Sequence, residues 1–131
     1  MIEILIVILI ISILSSFSYS TYTNYIAKSH RLDGKTALLN LANRLEAYHL
    51  QTGGYEKASI ATGTITDVLS RELSSDGWYT LKILKANKHY FLIAAYANNA
   101  QAKNDQMCPA FTLDSNGIKG TSYPENQQLC W

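Results

Sequence analysis

The chain has 131 residues, a formal net charge of +1 at pH 7 and two cysteines. This length allows one small domain beside a long helix, and the near-neutral charge excludes a protein whose whole surface is built to bind nucleic acid. The composition is 47% hydrophobic, and large aliphatic residues crowd the start of the chain.

The first fourteen residues are aliphatic apart from Glu3 and Ser12. A serine hydroxyl can bond a backbone carbonyl one turn back, whereas an ionised carboxylate in a membrane helix costs roughly 3 kcal/mol unless it has a partner. We therefore expect Glu3 to pair with a cation and to direct assembly. The residues predicted to lie in a membrane or a filament core are Ile4, Leu5, Ile6, Val7, Ile8, Leu9, Ile10, Ile11, Ile13, Leu14 and Phe17.

Three interpretations of this apolar run compete. Fourteen helical residues cover only about 21 Å of a roughly 30 Å hydrocarbon core, so a transmembrane helix needs the following serines and tyrosines as an extension. A cleaved secretory signal would carry a basic residue before the run, whereas the first cation is Lys28. A buried helix of an ordinary domain would need more apolar chain around it than the rest supplies. We favour the transmembrane helix.

Beyond residue 22 the sequence has no proline for a long stretch and becomes periodic, which predicts that the helix continues. Four residues at three- and four-residue spacing predict its dry face: Leu38, Leu41, Leu45 and Tyr48. Three cations at the same spacing predict a wet, basic stripe: Lys28, Arg31 and Lys35. Asp33-Gly34 predicts a bend or a fray, and Gly53-Gly54 is expected to end the helix. The predicted helix has about fifty residues, apolar all round in its first half and on one side only in its second.

The remainder of the chain predicts an antiparallel sheet. Residues 55–77 are expected to form a connecting loop with a short helical turn at 67–73. Aromatic and β-branched residues predict four strands, at 78–85, 89–97, 110–113 and 118–120. Asn116-Gly117 is the strongest two-residue hairpin signal, and the tail 121–131 is predicted to be a loop tied back by Cys130.

The two cysteines, Cys108 and Cys130, fit a single disulfide in an oxidising compartment. Closing a loop of this size stabilises a fold by about 3 kcal/mol on the chain-entropy model. The alternative is two buried thiols, although the polar stretch between them offers little core to hold them.

Signals for catalysis, a cofactor or a metal site are weak. Glu46 and His49 form one E-x-x-H pair, but a di-metal bundle needs a second copy, so a solvated helix face is the better interpretation. No nucleophile elbow, phosphate loop or paired-cysteine knuckle occurs in the sequence. We predict a protein that is not an enzyme and needs no cofactor. A membrane-anchored enzyme remains as an alternative.

A nucleic-acid interface is a stronger candidate. Lys82, Lys85 and Lys88 cluster in one predicted hairpin beside His89. Two further lysines are expected to join them, and three tyrosines are available for stacking on bases: Lys103, Lys119, Tyr79, Tyr90 and Tyr96. The competing interpretation, which we favour, is that these lysines keep an edge strand soluble.

The N-terminal pattern resembles that of type IV pilins. It has an aliphatic start, Glu3, a long aliphatic run, Ser15-Ser16-Phe17, and tyrosines at 19, 22 and 25. Aligned on Glu3, the sequence starts two residues later than mature pilins, without their phenylalanine or leader, and Ser20 stands where many members carry a proline. Three later passages agree with the family: E-A-Y-H-L-Q-T-G-G-Y at 46–55, F-T-L-D-S-N-G at 111–117, and Cys130-Trp131.

The resemblance implies an α+β pilin fold: a long N-terminal helix on a three- or four-stranded antiparallel sheet, with a disulfide-closed C-terminal loop. Residues 1–25 would form the membrane or filament-core half of the helix, and residues 26–131 the globular head. It also implies insertion in the bacterial inner membrane, then polymerisation with copies of itself and other pilins into a surface filament. Glu3 would pair with the N-terminal amine of a neighbouring subunit.

The partners implied by the family are membrane lipid, the pilus assembly machinery and prepilin peptidase. The filament's use would be adhesion, twitching motility or DNA uptake. Two alternatives stay open: a pseudopilin of a type II secretion system, and a minor pilin that acts as a DNA receptor. Pseudopilins generally use calcium in the C-terminal loop, so the cysteine pair favours a pilin.

Overall fold

The computed structural model describes residues 2–131, except for the side chains at positions 17–21. The elements in chain order are α1 (Ile2–Thr52), β1 (Ser59–Ile60), β2 (Asp67–Leu69), β3 (Tyr79–Ala86), β4 (Phe91–Ala97), α2 (Asn99–Asn104), β5 (Ala110–Asp114), β6 (Lys119–Thr121), a 3₁₀ turn (Pro124–Asn126) and α3 (Gln127–Cys130). Helix α1 lies on a four-stranded antiparallel sheet with strand order β3-β4-β5-β6, and β1 and β2 form a small parallel pair. The predicted fold class is confirmed.

Helix α1 has 51 residues, which agrees with the helix of about fifty residues predicted from the absence of proline. It ends because Gly53 adopts a left-handed conformation with φ of 80°, and its N–H donates to the carbonyl of His49 at 2.8 Å. Ser12 donates its hydroxyl to the carbonyl of Leu9 at 2.8 Å, which removes an unpaired polar group from the apolar half. The predicted fray at Asp33-Gly34 is wrong, because the helix is unbroken there.

The core lies between the second half of α1 and the inner face of the sheet. Leu38, Leu41 and Leu45 are fully buried, so the predicted dry face is confirmed. The side chains that meet them from the sheet alternate along the strands, because successive residues point to opposite faces. These inner-face residues are Tyr79, Leu81, Phe91, Ile93, Phe111 and Leu113.

Gly34 lies where α1 packs directly against Tyr79 of the sheet. A β-carbon built at this position would come within 2.7–2.9 Å of three ring atoms of Tyr79, which is fully buried. We expect Gly34→Ala to lower the free energy of unfolding by about 1–3 kcal/mol, because this overpacking outweighs the gain of about 1 kcal/mol in helix propensity. Chemical denaturation checks this against Ser29→Ala on the exposed side of the helix. Equal or greater stability of the Gly34 variant would show that the ring can move aside.

Two of the three cations that were predicted to form a wet, basic stripe are not exposed to solvent in this way. Arg31 precedes Leu38 by seven residues, almost two turns, so it lies on the face that packs against the domain. Its guanidinium makes a bidentate pair with Asp105, with Nε–Oδ2 and Nη2–Oδ1 distances of 2.6 and 2.7 Å. The hydrogen bond to Asp105 raises the pKa of Arg31. Lys35 is half-buried and only Lys28 is exposed.

The C-terminal segment is folded back onto the rest of the domain. Cys108 and Cys130 form a disulfide with a Cα–Cα distance of 5.6 Å, as predicted. Trp131 Nε1 donates to the carbonyl of Gly120 at 2.7 Å, and Arg31 Nη1 donates to the carbonyl of Leu129 at 2.9 Å. This segment therefore closes the β6 edge of the sheet.

Two predictions of local structure differ from the fold, and one helix was not predicted. The expected helical turn at 67–73 is wrong, because residues Asp67–Leu69 form β2 and bury Val68. The tail is not a simple loop, because it contains the 3₁₀ turn and α3. Helix α2 follows β4 without any periodic signal in its six residues.

Candidate functional site

The first candidate surface is the apolar half of α1. Its large aliphatic side chains between Ile2 and Leu14 are 50–72% exposed, and Glu3 is exposed among them. The predicted core residue Phe17 and the amine of Met1 lie outside the described side chains and residues. Among the residues searched, the structure contains no helical stretch that is both long and apolar enough to cross a bilayer.

The second candidate surface is the outer face of the β3–β4 hairpin. In a regular strand, residues three apart point to opposite faces. A bulge at Leu84 shifts the register, so Lys82 pairs with Ala94 and Lys85 pairs with Leu92. Residues 92 and 94 share one face, and the bulge therefore places Lys82 and Lys85 on that same face. This face points away from α1, because the inner face carries the core.

Tyr96 lies on the same outer face. The residue is 40% exposed, and Lys82 Nζ lies 5.9 Å from the centroid of its ring. Tyr79, which the sequence offered as a stacking residue, is instead buried in the core, and burial raises its pKa to about 12. Tyr90 is half-buried. The outer face thus combines two lysines with one accessible aromatic ring.

Lys88 lies in the turn between β3 and β4, and the turn is anchored to the end of α1. His49 Nε2 lies 3.1 Å from the carbonyl of Lys88, and the N–H of Tyr55 donates to the carbonyl of Asn87. Asn87 Oδ1 accepts from two further backbone N–H groups of the turn at 2.9 Å. These contacts hold the backbone that carries the third lysine of the hairpin.

The contacts between the end of α1 and this turn also explain the roles of Glu46 and His49, the two residues of the E-x-x-H pair. His49 stacks on Tyr55 with ring centroids 4.5 Å apart, and the Tyr55 hydroxyl donates to Glu46 at 3.0 Å. Burial and this hydrogen bond raise the pKa of Tyr55. Within the described part of the chain, no group of three or more metal-binding side chains comes together.

Lys103 and Lys119 do not join the hairpin lysines. Lys119 lies in β6 at the opposite edge of the sheet, three strand spacings or about 14 Å from β3. Its Nζ lies over the ring of Trp131 at 5.1 Å, and Lys103 lies in α2. The basic surface is therefore smaller than the sequence suggested. We call Lys82, Lys85, Lys88 and Tyr96 the hairpin surface.

A hydroxyl cluster braces the loop between β1 and β2, and no sequence motif predicted it. Asp67 Oδ1 accepts from Ser59 Oγ at 2.6 Å and from Thr62 Oγ1 at 2.7 Å. Asp67 Oδ2 accepts from the N–H of Gly63 at 2.7 Å. These hydrogen bonds, led by that of Ser59, hold the pKa of Asp67 well below its usual range. The loop beside the hairpin is therefore braced by its own side chains.

Comparison with known structures supports the fold. The Neisseria meningitidis non-core minor pilin PilV, solved as a selenomethionine crystal structure, is similar with a TM-score of 0.55 and 19% identity, covering 76% of this chain and 89% of that one. A type IV pilin from Shewanella oneidensis is similar with a TM-score of 0.50 and 18% identity, covering 80% of this chain and 97% of that one. No curated protein matches the sequence.

One family profile also matches the sequence. It is described as "Type IV minor pilin ComP, DNA uptake sequence receptor" and covers residues 20–112. The match includes the second half of α1 and the whole β3–β4 hairpin. The chain therefore belongs to the ComP family of type IV minor pilins.

Proposed function

We propose that this pilin is a minor subunit of a type IV pilus that captures DNA with the hairpin surface. Of the three uses that the family resemblance implied, DNA uptake is favoured over adhesion and twitching motility by the description of the matching family. The observation that carries the proposal is the bulge at Leu84, which places two lysines on one face with an exposed tyrosine. The same match favours a minor pilin over a pseudopilin.

The proposed route into the filament begins in the inner membrane. A helix that is apolar on every side needs a surrounding apolar medium, which is lipid before assembly and neighbouring helices afterwards. Transfer between these two media hardly changes the free energy of aliphatic side chains, so their burial does little to position one subunit against the next. Glu3 positions the subunit by pairing with a cation at the start of an adjacent subunit.

Glu3→Ala is expected to leave the chain in the membrane but to reduce its incorporation into filaments severely, because the cation of the neighbour loses its partner. Immunoblots of sheared filaments and of membranes measure the two pools. Glu125→Ala is the matched control, since it removes an exposed carboxylate far from the apolar half. An unchanged ratio of filament to membrane protein in the Glu3 variant would contradict the pairing role.

The proposed DNA contact is mainly electrostatic. Lysine side chains neutralise phosphates and release counterions, so affinity falls with salt by about 0.9 logarithmic units per contact and per tenfold rise in salt. A base can also stack on the accessible ring of Tyr96, which contributes about 1–3 kcal/mol for a single strand. Three lysines give weak binding to one subunit. Repetition of the site along a filament raises the overall affinity through avidity.

The test is a titration of DNA against the full chain in detergent, by fluorescence anisotropy from low to physiological salt. We expect the double variant Lys82→Ala, Lys85→Ala to bind more weakly and to lower the salt slope by about 2. Lys28→Ala with Lys103→Ala removes the same charge elsewhere and is expected to change neither value. A flat salt dependence, or equal losses in both double variants, would favour lysines that only keep β3 soluble.

A further inference from the structure

One end of the globular domain lies close to the point where the apolar half of α1 ends. Gln101 Nε2 of α2 donates to the carbonyl of Ala27 at 2.9 Å, so α2 packs against α1 at this level. At 1.5 Å per residue, the helix from Ile2 to Tyr22 is about 30 Å long, which is the thickness of the hydrocarbon core of a bilayer. Tyr22 and Tyr25 are exposed, and tyrosines are typical of the level at which a membrane helix meets water. In a membrane-inserted chain, α2 would therefore lie at the level of the lipid headgroups.

A groove between α1 and α2 opens at this end of the domain. Its volume is about 270 Å³, several times the roughly 30 Å³ of one water molecule, so a phosphate group fits into it. Its walls carry exposed amide and ammonium groups, which can donate hydrogen bonds to an anion. These polar groups belong to Asn24, Lys28, Asn104 and Gln106. We call these four residues together with Met107 the basal groove.

Lys28 is the cation that the basal groove offers to a ligand. The guanidinium of Arg31 also lines the cavity, but it is paired with Asp105, which neutralises its charge. Within the part of the chain that the structure describes, Lys28 makes no hydrogen bond or ion pair. A lysine one turn beyond Tyr25 can extend its ammonium group to headgroup phosphates, and each lysine near an anionic membrane surface contributes about 1 kcal/mol of attraction. The basal groove therefore favours an anionic ligand.

Two exposed apolar side chains lie at the same end of the domain. Met107 lines the cavity and is 51% exposed, and Leu129 is 64% exposed. The disulfide joins the residues that follow these two, Cys108 and Cys130, and Arg31 Nη1 donates to the carbonyl of Leu129. Both apolar side chains are thus held beside the basal groove. A cation next to exposed apolar side chains is typical of segments that lie in the interface of an anionic bilayer.

We propose that the basal groove binds the phosphate of an anionic phospholipid in the leaflet that faces the domain, and that Met107 and Leu129 rest on the acyl chains below it. This rests on the proposed insertion in the inner membrane. It assigns a ligand to a surface that neither the hairpin surface nor the domain core uses. The bound lipid holds the domain against the membrane in one orientation before the subunit enters a filament.

Photolabelling by lipid tests the proposal. The full chain is placed in nanodiscs of phosphatidylcholine with a trace of phosphatidylglycerol that carries a diazirine near its headgroup, and the labelled peptides are identified by mass spectrometry. We expect the label on peptides that contain residues 24–28 or 104–107, and several-fold less label from a phosphatidylcholine probe with the same diazirine. Label confined to other parts of the chain, or equal labelling by the two probes, would overturn the proposal.

Lys28→Ala is expected to reduce labelling by the phosphatidylglycerol probe about fivefold, the change that corresponds to about 1 kcal/mol. Lys57→Ala is the matched control and should label like the parent chain. Lys57 is also exposed, but it follows the end of α1 at Thr52, which is about 36 Å from Lys28 and far beyond the screening length of about 8 Å. Equal labelling of the Lys28 variant and the parent chain would show that the basal groove does not bind the headgroup.

A second probe tests the apolar contact. A benzophenone amino acid in place of Met107 should crosslink to acyl chains in the nanodisc. The same probe in place of Ile65, which is fully exposed on the β1–β2 loop, should not. Arg44 Nη1 donates to the carbonyl of Val68, which places that loop about 24 Å further along α1 than Lys28. Inserted chains that form no lipid adduct at position 107 would contradict the proposed contact.

The outcomes separate the lipid site from the insertion on which it rests. If nanodiscs do not retain the unaltered chain, membrane insertion fails as a whole. If they retain it and the Lys28 variant is labelled equally, the basal groove has no lipid ligand, while insertion, incorporation into a pilus and DNA binding stand.

Discussion

Replacing Arg31 with alanine is expected to lower the free energy of unfolding by about 3 kcal/mol or more. The side chains of Arg31 and Asp105 are only 11% and 3% exposed, so the variant leaves a buried carboxylate without its partner. It also removes the hydrogen bond from Nη1 to the carbonyl of Leu129, which ties α1 to the C-terminal segment. Urea denaturation of the full chain in detergent, followed by circular dichroism, measures the loss.

Two controls separate the charge from the bulk of the side chain. Lys28→Ala removes an exposed cation one turn earlier and is expected to change stability by no more than about 0.5 kcal/mol. Arg31→Met with Asp105→Asn removes both charges. The amide oxygen introduced at position 105 could still accept from Gln101 Nε2, so this double variant should lose less than Arg31→Ala. If Arg31→Ala has the same free energy of unfolding as the parent chain, the Arg31–Asp105 pair is solvated and does not hold the helix to the domain.

Replacing Cys130 with serine is expected to cost about 3 kcal/mol in the chain-entropy estimate, because the disulfide closes a segment with a sequence separation of 22. The C-terminal segment would then be held by hydrogen bonds such as those of Trp131 and Gln127 to the carbonyls of β6. Limited proteolysis should cut the segment between Cys108 and Cys130 first. DNA affinity should persist, because the hairpin surface lies at the other edge of the sheet.

Reduction of the disulfide in the parent chain provides a control for the Cys130 variant. Reductant added to the parent chain should lower its stability to that of the Cys130 variant, and it should not affect the variant with both cysteines replaced. Equal protease resistance of the parent chain with and without reductant would show that the bond contributes nothing to the native state.

Most of the fold follows from local patterns in the sequence. The length of α1 follows from the absence of proline and from Gly53, whose left-handed backbone ends the helix. The leucine spacing located the face that meets the sheet, and the two cysteines indicated the bond that the structure contains. A few neighbouring residues signal the helix end and the buried face, whereas the disulfide is signalled by the presence of two cysteines 22 residues apart.

The elements that differ from prediction depend on distant parts of the chain. The charge of Arg31 predicts a side chain in water, although its seven-residue distance from Leu38 puts it on the buried face, where Asp105 lies. Pro124 was a usable signal that the tail is helical, because proline is favoured at the first positions of a helix. Helix α2 follows Asn98, a favoured N-cap residue, but its six residues are too few to show a helical period, and its position depends on packing against α1.

The candidate site was only partly predictable. The three lysines were found from the sequence, but the common face of Lys82 and Lys85 depends on a bulge that exists only in the pairing of β3 with β4. Burial of Tyr79 and the separation of Lys119 from the hairpin likewise follow from the sheet order and not from sequence distance.

The most direct test is DNA retention by purified filaments that carry either the parent chain or the Lys82→Ala, Lys85→Ala variant. Both chains should be present in sheared filaments in equal amounts, because the substitutions lie on the sheet face that points away from α1. Parent filaments should retain DNA at low salt and release it as salt rises, whereas variant filaments should retain far less at every salt concentration. Equal retention by the two filaments, with no dependence on salt, would contradict DNA capture by the hairpin surface.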